Sequence, residues 1–133
     1  MFSKKKNGAE KLEERMQALS EEAGKILNSI QKMTSKDLEA ELPILELRMK
    51  RILSAYEDCA GELKMLLKSS EKDTEEAGLF LQQLQEMAEL EMSWIKDTLL
   101  HLNESSKSLD ASGSIAKSSL ESRLRRGLEQ SKS

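Results

Sequence analysis

From Leu12 onward, apolar residues recur at Leu12, Met16, Leu19, Ala23, Ile26, Ile30 and Met33, in steps that alternate four and three without a miss. A second run, Leu38, Leu42, Leu45, Met49, Ile52, Tyr56, Cys59, Leu63 and Leu66, keeps the same rhythm for longer. Side chains three and four apart share one face of an α-helix, so each run predicts a helix carrying a narrow apolar seam. A strand would need alternation at period two, which neither run contains.

The two runs are separated by a step of five, from Met33 to Leu38, so the phase breaks between them. Thr34 followed by Asp37 has the spacing of a helix N-cap, in which a hydroxyl accepts from a free backbone N–H three residues on. A first helix over about 9–33 and a second over about 35–69 follow. Ser69-Ser70-Glu71-Lys72-Asp73 repeats the pattern of hydroxyls before acids and predicts a third helix start, giving about 71–109.

In that third segment the best seam is Leu81, Gln85, Ala88, Met92, Ile95, Leu99, Leu102, Ser106 and Leu109, with Phe80, Leu84, Met87 and Trp94 beside it. The wider apolar face suits a helix that touches more than one neighbour. Asp110-Ala111-Ser112-Gly113-Ser114 reads as a stop, with Gly113 able to take the left-handed conformation of a helix end. Beyond it, Leu120, Leu124 and Leu128 would share a face of a weak last helix over 115–128, in a Ser-rich setting. Pro43 either kinks the second helix or falls in the first turn of a helix preceded by a short turn over 35–41. Gly24 follows the seam residue Ala23, which suggests a close helix approach or a tolerated surface glycine.

Composition narrows the architecture. Aromatics are 3% of the chain against 34% charged residues. Without aromatic bulk, Leu, Ile and Met must fill the interior, which favours elongated rods with thin cores over a round globule. Short connections make neighbours antiparallel. The expected fold is all-α: an elongated antiparallel three-helix bundle or coiled coil over 9–110. A flexible basic N-terminus covers 1–8, and a Ser-rich basic C-terminal segment, partly helical or disordered, covers 111–133.

Net charge is −3, too small to drive nucleic-acid binding, but the charges are unevenly spread. Residues 1–8 hold three lysines, residues 70–110 hold three bases against ten acids, and residues 111–133 hold five bases against two acids. A basic tail lying against the acidic third helix is the simplest arrangement.

Helix lengths of roughly 37, 52 and 58 Å follow from a rise of ~1.5 Å per residue. Counted back from the turn near residue 34, the first helix covers the second only to about residue 59. The remaining tip of the second and third helices then exposes Leu63, Met65, Leu66, Leu67, Leu79, Phe80 and Leu81, the expected surface for a protein partner or self-association.

Candidate chemistry is sparse. His101 is the only histidine and has no Glu three residues before it, so the Glu-x-x-His pattern of bundle metal sites is absent. Cys59, the only cysteine, lies on the second seam and reads as a small buried hydrophobe; no intrachain disulfide is possible. Neither a phosphate-cradling glycine loop nor a serine elbow occurs. The expected protein is therefore not an enzyme and carries no cofactor and no metal. The methionines at 16, 33, 49, 65, 87 and 92 read mostly as core filler, and Gln85 either sets helix register or lies at a wet edge.

Phe2 with Lys4, Lys5 and Lys6, helped by Arg123, Arg125 and Arg126, would give weak, salt-sensitive contact with an anionic membrane at about 1 kcal/mol per basic residue. The opening Met1-Phe2-Ser3-Lys4-Lys5-Lys6 starts like a signal peptide, but Gly8, Glu10 and Glu13 replace the apolar run that should follow. The location expected is intracellular and cytoplasmic. The role expected is that of a non-catalytic interaction module, such as an adaptor, assembly factor or chaperone-like subunit. A peripheral membrane or envelope-associated helical protein using its basic termini is the alternative.

Overall fold

The computed structural model describes residues 8–68, 75–113, 117 and 120–124. Three long helices account for most of them: α1 (Gly8–Lys32), α2 (Ser35–Lys68) and α3 (Glu75–Ser112). No strand occurs among the described residues. The chain is an all-α three-helix bundle in which α2 packs closely against both neighbours and α1 meets α3 least.

Both predicted seams form the core. On α1, Leu12, Met16, Ala23, Ile26 and Ile30 are buried, while Leu19 and Met33 pack at the edge. Every seam residue of α2 from Leu38 to Leu63 is buried. Apolar burial stabilises these contacts by about 25 cal/mol per Å² removed from water, but apolar rungs that repeat at every turn do not by themselves fix which turn meets which. A polar pin holds the register. The Tyr56 hydroxyl donates to the Met16 carbonyl at 2.9 Å and lies 2.6 Å from Ser20 Oγ. With its one proton committed to Met16, the phenol oxygen accepts from Ser20.

Thr34 is the N-cap of α2: its Oγ1 accepts from the Asp37 N–H at 3.1 Å, and its carbonyl accepts from the Leu38 N–H at 2.9 Å. The helix runs unbroken from Ser35, so Pro43 stands in its interior rather than in a first turn after a separate segment. Pro43 has no N–H to offer the Glu39 carbonyl; its exposed position lets water take that role.

On α3 the buried stripe differs from the one expected. Leu81, Leu84, Ala88, Ile95, Thr98 and Leu102 are buried, with Trp94 beside them, while Gln85, Met92 and Leu99 lie half-buried on the flank. The face has rotated toward Leu84 and Trp94. Thr98 takes a core position because its hydroxyl donates to the Trp94 carbonyl at 2.9 Å, which satisfies it without an external partner. The helix ends at Gly113, whose φ of 76° and N–H bond to the Leu109 carbonyl at 2.7 Å form the left-handed cap expected there.

Beyond the cap, residues 120–124 are helical, and Leu120 and Leu124 are each 3% exposed within the common core. The core therefore extends past residue 110 into the C-terminal segment. Leu128 lies outside the described residues. Polar contacts hold the return: Arg123 pairs with Glu104 of α3 at 3.2 Å, and Lys117 donates to the Gln31 carbonyl at 3.3 Å. The second contact places a cation on one of the carbonyls that a helix end leaves without a partner.

Candidate functional site

The tip of the bundle is more covered than helix lengths imply. Gly8 begins α1 one residue early, and a Cβ there would stand 3.6 Å from both methyls of Leu66. The cover reaches Leu66 instead of stopping near residue 59. Of the seven tip residues, Leu63 and Leu81 are buried and Leu66, Leu67 and Phe80 pack half-buried against the core. Those five are not open to a partner as a flat patch. Met65 and Leu79 remain, 72% and 58% exposed.

Beside Met65 lies a groove of about 360 Å³ between α1 and α2, lined by Gly8, Lys11, Leu12, Arg15, Glu62, Met65 and Leu66. Its lining is mainly apolar, and the Arg15–Glu62 ion pair closes one end. The hydrogen bond to Glu62 pushes the Arg15 guanidinium above its ordinary range, which leaves its positive charge fixed.

A second cleft of about 400 Å³ lies midway along α1 and α2, lined by Leu19, Glu22, Lys25, Ile26, Arg48, Arg51 and Ile52. Ile26 and Ile52 are its apolar floor, and three cations and one carboxylate form its rim. No sequence motif marks it. Lys25 comes from one helix and Arg48 with Arg51 from another, so only the α1–α2 register brings them together.

The single chemically versatile residues are dispersed. His101 sits on α3 with Nε2 3.4 Å from Asp97 and Nδ1 3.8 Å from Glu104. Among the described residues no three His, Cys, Asp or Glu side chains are grouped to hold a metal ion. Cys59 is fully buried on α2, and burial pushes its thiol up, away from the reactive thiolate. Of the residues considered for membrane contact, Arg123 is paired with Glu104; Phe2, Lys4, Lys5, Lys6, Arg125 and Arg126 lie outside the described residues. None of the described helices is long and apolar enough to cross a membrane.

These elements define a class, the elongated all-α bundle of three long helices with a short C-terminal return. Within that class the comparisons go no further: no family model, curated protein or solved structure matches the chain.

Proposed function

We propose that the protein is a non-catalytic helical interaction module, an adaptor, assembly factor or chaperone-like subunit, that binds a protein partner through apolar helix faces. The observation that carries this reading is the tip, where Met65 stands exposed on the lip of a mainly apolar groove and Leu79 stands exposed on α3. A long thioether is suited to such a place, because it adapts its shape to what it meets.

Half-buried Leu66 and Phe80 are poor positions for the test, since Asp there would damage the core as well as the surface. Met65→Asp with Leu79→Asp changes exposed atoms only and should leave helicity unchanged. A photo-crosslinking residue placed at position 65 should capture a defined partner in cells, and Leu79→Asp should abolish the capture. If a crosslinker at exposed Glu57 captures the same species equally well, the tip is not the binding surface.

A further inference from the structure

Charge on the described surface is left over in two places. Lys25, Arg48 and Arg51 rim the α1–α2 cleft without a carboxylate within ion-pair distance. On α3, Glu86 and Glu89 likewise make no ion pair, and between and beside them Leu90 is 54% exposed. At 3.6 residues per turn Leu90 lies about 200° around the helix from buried Ala88, so it faces outward. Leu90 and Leu100, both more than half exposed, share this outward side of α3 with Glu86, whereas Leu79 lies at the tip, about two turns before Glu86.

We propose that this cleft receives the Glu86–Leu90 turn of α3 from a second copy of the chain. Half-buried Leu19 and the aliphatic stems of Lys25, Arg48 and Arg51, over buried Ile26 and Ile52, offer Leu90 an apolar seat. The rim of Lys25, Arg48 and Arg51 faces Glu86 and Glu89, and its three cations outweigh the repulsion that Glu22 offers an acidic occupant. The Glu86–Leu90 turn fits within the cleft, which spans about two turns of α1 from Leu19 to Ile26. Charge complementarity selects this occupant, because the segment 70–110 is the acidic part of the chain.

The cleft opens between α1 and α2, whereas Leu90 points outward from α3. One molecule cannot join its own two patches, and the contact is head-to-tail. Such contacts grow into rings or chains instead of stopping at a symmetric dimer. The buried area would be small, so association is weak and salt-dependent. The inference rests on the reading of the bundle as an interaction module but uses a different surface, so the tip substitutions leave it intact.

The test uses the full chain and two charge-reversed variants. Sedimentation of the wild type should show a mean mass that rises at least about two-fold with concentration at low salt and falls back above ~0.5 M salt, where screening is strong. Arg48→Glu with Arg51→Glu leaves both patches acidic, and Glu86→Lys with Glu89→Lys leaves both basic, so each variant alone should stay monomeric. Mixing the two should restore association, because each cleft again meets an α3 of opposite charge. Helicity by circular dichroism should be the same in all three. A wild type that remains monomeric throughout, a variant that associates as the wild type does, or a mixture that fails to associate overturns the proposal. Loss of association on Met65→Asp with Leu79→Asp instead would assign it to the tip.

Discussion

Replacing Tyr56 with Phe removes one oxygen from the interface of α1 and α2 and nothing else. Tyr56 is 1% exposed, and its hydroxyl holds two contacts, to the Met16 carbonyl at 2.9 Å and to Ser20 Oγ at 2.6 Å. The Met16 carbonyl keeps its helical donor, and half-buried Ser20 can turn to water, so neither group is left bare at full cost. At about 0.5–1.5 kcal/mol per hydrogen bond, the loss should be about 1–2 kcal/mol at neutral pH. For a chain of this size that is a fall in Tm of roughly 5 °C. The phenol adds a pH dependence. Burial, partly offset by the Ser20 hydrogen bond, pushes its pKa up to about 12 from 10.0. The folded state therefore holds the proton more tightly than the unfolded chain. That preference is intact below pH 10 and is lost as the pH rises toward 12, by about 2–3 kcal/mol in total. Tyr56→Phe has no such proton, so the gap between the two proteins should narrow above pH 10 and close or invert near 12. Lysines titrate in both chains and cancel in the difference. Urea denaturation at neutral and high pH measures the gap. Near-ultraviolet tyrosinate absorbance follows the ionisation directly, because Tyr56 is the only tyrosine. An unfolding free energy unchanged by the substitution, or a phenol that titrates near 10 in the folded protein, would refute the argument.

Thr34→Ala removes the cap of α2 and should cost about 1 kcal/mol in urea denaturation. Gly24→Ala should do the opposite. An added Cβ there meets nothing within 4 Å, so the close approach suggested by Ala23 does not occur and the gain in helix propensity, about 0.5–1 kcal/mol, goes uncontested. Leu124→Ala should lower stability by about 2–3 kcal/mol, the range for truncating a buried leucine, although it lies in the segment with the weakest helical pattern. A thermal melt unchanged by that substitution would mean that the C-terminal return contributes nothing to the core.

The helices and the first two seams were legible because each buried residue there is apolar and its period is unambiguous. The third stripe was misplaced for a local reason. Counting apolar residues passes over Thr98, whose side chain satisfies itself on the Trp94 carbonyl, and it prefers Met92 and Leu99, which lie on the flank. Comparing helix lengths as rods counted from the turn overdraws the tip, because the start of α1 at Gly8 still meets Leu66. The basic cleft was illegible. Its cations are far apart in the chain, each looks like an ordinary solvated residue, and only antiparallel register makes them neighbours.

The uneven charge of the chain has two different uses along the bundle. Near the C-terminal return, acids of α3 are consumed internally: Glu104 holds Arg123, and Asp97 and Glu104 flank His101. Farther toward the tip, Glu86 and Glu89 pair with no cation among the described residues. The three cations of the cleft lie on another face and pair with no carboxylate among the described residues. Burial of Leu120 and Leu124 thus explains why the acidic helix ends in balanced contacts at one end and in an unanswered acidic turn in the middle. A net charge of −3 conceals that division, because opposite charges held apart by a rigid bundle cancel in a sum but not in space.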